Sequence, residues 1–224
     1  MTGDFLLAEN RYGRYAVPVE SRRRRVSRAV LHGEVYEPDT TAFIAEEATR
    51  GDVVTAGAYF GDMLPAAASG GNLVFSAEPN PVNFEAALQT LKLNSTENVR
   101  LANAAFGARS GSARLQVDDG RRALGGGSRL VPARQRTPGV RFVACDIVRV
   151  DAVVDPGREI VLIHLDVEGS EARALRGALR TIRRWLPDLL LERPPTASRI
   201  WQELAALGYR DAGRISKNRL LVVR

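Results

Sequence analysis

The sequence predicts an α/β protein built on a mostly parallel, doubly wound sheet with an antiparallel strand near the C-terminus. Three observations carry this. Short apolar runs at Val53 to Val54, Leu73 to Phe75, Ile160 to Leu165 and Leu189 to Leu191 alternate with segments of helical pattern, which implies right-handed crossovers between parallel strands. Several runs end in a glycine turn or an acidic tip, the position where such sheets bind ligands. The last two strand-like segments, Tyr209 to Gly213 and Arg219 to Val223, are joined only by a polar link around Ser216 to Asn218, so they must pair antiparallel.

In order along the chain, residues 1–50 read as a small N-terminal extension of hairpin and helices packed on the core. Phe5 to Ala8 and Tyr15 to Val19 flank the turn Glu9 to Gly13 as a hairpin. Ser21 to Leu31 reads as one helix with a wet, arginine-rich face, and after a loop from Gly33 a second helix, capped by Asp39 or Thr40, runs to Arg50. Residues 51–224 form the main domain. Further helices are expected from Val82 to Leu93, Asp146 to Val154 and Ala197 to Leu207, and one ending near Trp185. Additional strands are expected at Val99 to Asn103 and Arg141 to Cys145. Between them, residues 118–139 are polar and glycine-rich without a clear period, which predicts a lid that orders over substrate.

Composition narrows the class. A chain of 224 residues with 45% hydrophobic content fits one domain with a full core. The single cysteine, Cys145, rules out an internal disulfide and a multi-cysteine zinc site. No segment approaches a membrane span and the N-terminus lacks a basic, apolar leader pattern, so the expected location is cytoplasmic. The net charge of +6 raises nucleic acid as a partner, but the arginines are scattered and their runs lack interleaved aromatics for base stacking.

The chemistry gathers on one stretch. The run at Val53 and Val54 stops at Gly57-x-x-x-Gly61 and passes into an alanine-rich helix start, a turn that lets a ligand approach the backbone. About twenty residues on, Glu78 stands at the tip of the neighbouring strand, where a carboxylate accepts hydrogen bonds from an adenosine ribose diol. Asn80 and Pro81 begin a helix well, but that capping needs Asn80 and makes no use of Glu78. Asn103, at another strand end, suits a purine edge or a turn. At the end of the most apolar strand lie His164, Asp166 and Glu168, carboxylates placed where reacting groups belong in such a sheet.

These residues give the chain its resemblance to the FkbM family of S-adenosylmethionine-dependent methyltransferases, carried from about Gly33 to Val223. The most specific pieces are Ala-Glu-Pro-Asn-Pro at 77–81 and His-Leu-Asp-Val-Glu-Gly-Ser-Glu at 164–171. The resemblance implies a Rossmann-like class I methyltransferase sheet and methyl transfer to a hydroxyl on a sugar or secondary metabolite. It implies a cofactor-binding set of Glu37, Gly57, Tyr59, Gly61, Glu78, Asn80, Asn103 and Asp166. Asp166 leads His164 as the base for the hydroxyl proton, because alternation puts both on one face with Asp166 nearer the open end. Asp146, Asp166 and Glu168 are candidate ligands for magnesium. One position departs from the pattern: an acid is usual two residues before the first glycine, and here Thr55 stands there, leaving Glu37 to substitute. Two rival functions remain. An RNA methyltransferase would carry an Asn/Asp-Pro-Pro-Tyr/Phe or Pro-Cys motif, neither of which occurs, since Cys145 follows Ala144. A degenerate binding module would keep the fold without turnover, as Thr55 suggests.

Overall fold

A computed structural model describes residues 4–223. The hairpin β1 (Phe5–Asn10) and β2 (Gly13–Pro18) leads into α1 (Arg25–Leu31) and α2 (Pro38–Arg50). The central unit then alternates: β3 (Asp52–Ala56), α3 (Leu64–Ala68), β4 (Val74–Ala77), α4 (Pro81–Leu93) and β5 (Val99–Ala102). A side sheet follows from β6 (Ala104–Phe106), β7 (Gly111–Gln116), β8 (Arg129–Val131) and β9 (Phe142–Val148). The chain finishes with α5 (Val150–Val153), β10 (Ile160–Leu165), α6 (Glu171–Gly177), α7 (Leu179–Trp185), β11 (Asp188–Leu191), α8 (Arg199–Ala206), β12 (Tyr209–Ile215) and β13 (Asn218–Val223).

Seven strands form the main sheet in the order β12-β13-β11-β10-β3-β4-β5. β10, β3, β4, β5 and β11 pair in parallel, and β13 enters antiparallel between β11 and β12, as the missing helix between the last strands requires. The order reverses between β3 and β10, and that reversal opens the crevice in which such sheets bind ligands. Both faces are covered. Val54, Phe75, Ile163 and Leu189 pack with Leu175, Ile182 and Leu204 on one side. Val53, Val74, Leu162 and Leu190 pack with Ile44, Leu64 and Leu91 on the other. No helix among the described residues is long and apolar enough to cross a membrane.

Several local expectations change. The first helix begins only at Arg25, after a short 3-10 turn over Val19–Ser21, since like charges at 22–25 disfavour a continuous helix. α2 starts at Pro38, with Glu37 in left-handed conformation before it and no side-chain cap from Asp39 or Thr40; proline's fixed φ suits a first helical position. Asp146 lies on β9, with α5 reduced to Val150–Val153, because β7 and β6 supply ladder partners for residues 142–148. The expected lid is part sheet: β8 pairs with β7, and the connection between them holds an Asp118–Ala123 bridge and a 3-10 turn over Gly125–Gly127.

Candidate active site

The crevice is built by four chain segments meeting at the carboxyl ends of the strands. After β3 the chain turns through Gly57 (φ 86°) and Gly61 (φ 83°). A Cβ on Gly57 would collide with the carbonyl oxygen of Asp166 just past β10, so this turn demands glycine. Tyr59 between them is also left-handed (φ 51°), a strained state for a residue with a side chain. The strain is held by Glu78, whose Oε2 accepts the Tyr59 backbone N–H at 2.8 Å, and by the Tyr59 hydroxyl, which bonds Ser21 and Ser27 at 2.7 and 2.8 Å.

Glu78 is buried at the tip of β4. Its Oε1 accepts from the Asn80 backbone N–H at 2.8 Å and from Asn83 Nδ2 at 3.3 Å. Burial nevertheless outweighs these donors and pushes its carboxyl up to about 7. Asn80 caps α4 by accepting the Val82 N–H at 3.1 Å and donates to Ser128 at 3.0 Å. Asn103 Nδ2 donates to the Glu78 carbonyl at 2.9 Å and locks the strand tip.

Register places His164 beside Thr55 on adjacent strands. His164 Nδ1 and Thr55 Oγ1 share a hydrogen bond of 3.0 Å, while the buried Nε2 has no protein partner. Burial, aided by the Lys217 ammonium, lowers this imidazole to about 4, so it is neutral at physiological pH.

Asp166 and Glu192 stand at the ends of β10 and β11, and Glu37 just before α2. All three converge on Lys217 from the turn between β12 and β13, at 3.0, 2.8 and 3.2 Å. The ammonium's own pKa is raised by these neighbours. One ammonium cannot neutralise three carboxylates that are partly withdrawn from water, so a proton is retained among them. It rests on Asp166, pushed up to about 8 by burial and by Glu192, whose own carboxyl is lowered. Glu37 therefore serves Lys217 and Asn218 Nδ2.

The acidic set differs from the sequence expectation. Asp166, Glu168 and Glu192 form the grouped carboxylates, whereas Asp146 is exposed on β9 of the side sheet. One oxygen of each is engaged by a cation: Lys217 holds Asp166 Oδ2 and Glu192 Oε1, and Arg193 holds Glu168 Oε2 at 2.6 Å. A divalent ion would compete here with two resident cations, and no step below uses one. Sequence reasoning missed Glu192, Lys217 and Asp62. Asp62, pushed up to about 7 by burial, directly follows Gly61, which is the signal that could have found it.

Two cavities meet in this crevice. One of about 280 Å³ is lined by Thr55, Gly57, Asp62, His164, Asp166 and Lys217 among others. The second, of only about 30 Å³, lies between Glu78, Phe106, Leu130 and Val167. Gly57, Gly126 and Asp166 line both. Residues 125–128 roof the crevice, pinned by Asn83 Nδ2 to the Gly125 carbonyl (3.1 Å) and by Asn80 to Ser128.

Known proteins place this arrangement. No curated protein matches the sequence. Among solved structures, a methyltransferase FkbM from Methylobacillus flagellatus KT superposes with a TM-score of 0.51 at 19% identity, over 78% of this chain and 43% of that one. The chain thus spans less than half of that structure. A magnesium protoporphyrin IX methyltransferase from Synechocystis PCC 6803 with bound SAM gives a TM-score of 0.46 at 14% identity, covering 90% and 88%. The fold is that of the class I S-adenosylmethionine methyltransferases. The sequence model of the methyltransferase FkbM domain matches residues 55–210. On that match, which takes in the glycine turn, Glu78 and the Asp166 strand tip, the chain belongs to the FkbM methyltransferase family.

Proposed function

We propose that this chain transfers the methyl group of S-adenosylmethionine to a hydroxyl oxygen of a small-molecule acceptor, with His164 receiving the hydroxyl proton. The observation that carries this reading is the buried, unpartnered Nε2 of His164 in the wall of the 280 Å³ cavity, beside Gly57 and Asp166.

The residues suit the cofactor chemically. Gly57 permits close backbone approach, and Glu78 keeps acceptor capacity on Oε2 beyond the Tyr59 bond for a ribose hydroxyl. Space is the constraint. About 30 Å³ beside Glu78 admits little more than a water, so the roof at 125–128 must lift for a nucleoside to lie there.

When bound, S-adenosylmethionine supplies an electrophilic methyl on a sulfonium. The protein's part is alignment, exclusion of water and removal of one proton. In the tautomer whose Nδ1–H donates to Thr55 Oγ1, the unpartnered His164 Nε2 carries a lone pair, and the ring lines the cavity. A low imidazole pKa is adequate, since the hydroxyl becomes strongly acidic as its bond to carbon forms. Asp166, holding its proton near neutral pH, acts as a polar wall, which reverses its expected priority over His164.

Calorimetric titration tests the first half: no binding of S-adenosylmethionine at millimolar concentration removes the reading. For the second half, His164→Gln retains cofactor binding and loses transfer by about 10²–10⁴-fold; equal loss of both assigns His164 a structural role.

A further inference from the structure

The arginine run before and within α1 borders a cleft of about 890 Å³ that adjoins the candidate active site. Arg23, Arg25 and Arg28 line it together, and Arg25, Tyr36 and Lys217 also line the 280 Å³ cavity, so the two spaces share a wall. Arg25 and Arg28 are three residues apart on α1, a like-charge spacing that disfavours the helix.

Among the described residues, none of these three guanidiniums has a carboxylate within 4.0 Å. Arg25 lies over the Tyr36 ring at 5.8 Å, a contact that leaves its edge donors available. The acids on the cleft wall are Glu34 and Glu37, and Glu37 is already matched to Lys217. The neighbouring cleft is also arginine-lined: Arg22, Arg24 and Arg121 face it along with Arg23, and among the described residues only Arg122 of its arginines is paired with a carboxylate, that of Asp119. The cleft bordered by α1 differs in sharing a wall with the 280 Å³ cavity, within reach of a small molecule spanning both.

We infer that this cleft binds the phosphate group of a phosphorylated small-molecule acceptor, with Arg23, Arg25 and Arg28 as its anion clamp and the hydroxyl to be methylated reaching past Tyr36 to His164. The guanidinium fork matches phosphate oxygens in charge and geometry. Tyr36 and the His32 imidazole are the rings that line the cleft, which suits one anchored ligand better than the succession of stacking platforms a nucleic-acid strand uses. The clamp deepens the methyl-transfer reading and rests on it for the fate of the hydroxyl, whereas phosphate binding is measurable without cofactor.

The test uses inorganic pyrophosphate as probe, titrated into the full chain by calorimetry at low ionic strength. Arg23→Ala/Arg28→Ala removes two clamp residues that do not line the inner cavity. Arg134→Ala/Arg136→Ala removes the same charge from the exposed loop after β8. Pyrophosphate is expected to bind the native chain, to lose about tenfold or more in affinity in the first double variant, and to be little changed in the second. Affinity for S-adenosylhomocysteine is expected to be the same in all three proteins. No pyrophosphate binding at millimolar probe, or equal loss in both double variants, overturns the clamp. So does single-stranded RNA that displaces pyrophosphate with affinity rising with strand length, which would assign the cleft to nucleic acid. Loss of cofactor binding with pyrophosphate binding intact instead refutes the methyl-transfer reading and leaves the clamp standing.

Discussion

Replacing Glu78 by Gln probes the carboxylate that organises the turn and, on the present reading, the ribose. The native side chain accepts three hydrogen bonds, from the Tyr59 and Asn80 backbone N–H groups and from Asn83, through two oxygens. A glutamine amide offers one oxygen, so at least one buried donor is left facing an NH2 group, at a cost of about 1–3 kcal/mol in stability. Loss of the charged acceptor should weaken S-adenosylhomocysteine binding by a further ~1–3 kcal/mol, or roughly 5- to 150-fold. The pH dependence separates the two effects. Burial raises the folded-state carboxyl from 4.5 to about 7, so its contribution to stability is fully present below pH 4.5 and is lost as pH rises through 7. Binding runs the other way, because hydroxyl donors favour the ionised form: native affinity should climb with pH up to about 7 and level off above. Calorimetry from pH 5.5 to 8.5, paired with thermal melts, reads both. A native affinity flat across this range and unchanged in the variant would remove Glu78 from the cofactor site.

Three further perturbations follow from the same geometry. Thr55→Asp sets a carboxylate against His164 Nδ1, raises the imidazole pKa, and should bring a new acidic limb into the turnover profile; a native limb near 8 would instead identify Asp166, whose carboxyl titrates there. Lys217→Met leaves Glu37, Asp166 and Glu192 without their shared cation and should cost about 1–3 kcal/mol in a denaturant melt, below the fully buried range because the amine is part-solvated; unchanged stability would show that the cluster relaxes by taking up protons. Gly57→Ala combines a positive φ with a collision against the Asp166 carbonyl and should lower the melting temperature sharply, and a native-like melt would mean the turn can refold around a side chain.

The parallel core was legible because its signal is local. Val53, Phe75, Ile163 and Leu190 lie in short apolar runs, and a fully covered sheet needs nothing subtler. The side sheet was not: β7 reads Gly-Ser-Ala-Arg-Leu-Gln with its first two residues exposed, and only pairing to β9, some thirty residues on, makes it a strand. The same distance hid part of the site. Glu78 and the glycines share one βαβ unit and announce themselves at fixed spacing. Lys217 is 51 residues from Asp166, and its sequence surroundings report only a turn between Ser216 and Asn218. Asn103 is ambiguous for a related reason, since an amide at a strand end can read a ligand or tie a neighbouring strand, and its Nδ2 ties Glu78.

The threonine at position 55 has a physical rationale in what surrounds it. Glu37, Asp166 and Glu192 already crowd one ammonium, and Asp166 keeps a proton as a result. A fourth carboxylate at position 55, in register with His164, would add to that excess and would also stabilise the imidazolium, removing the Nε2 lone pair. A hydroxyl avoids both effects: it fixes the ring through Nδ1 at 3.0 Å without contributing charge. On the proposed reading, loss of the usual acid and the unpartnered Nε2 of His164 are therefore parts of one arrangement, in which the cavity wall beside Thr55 gains no further charge and can accept a proton.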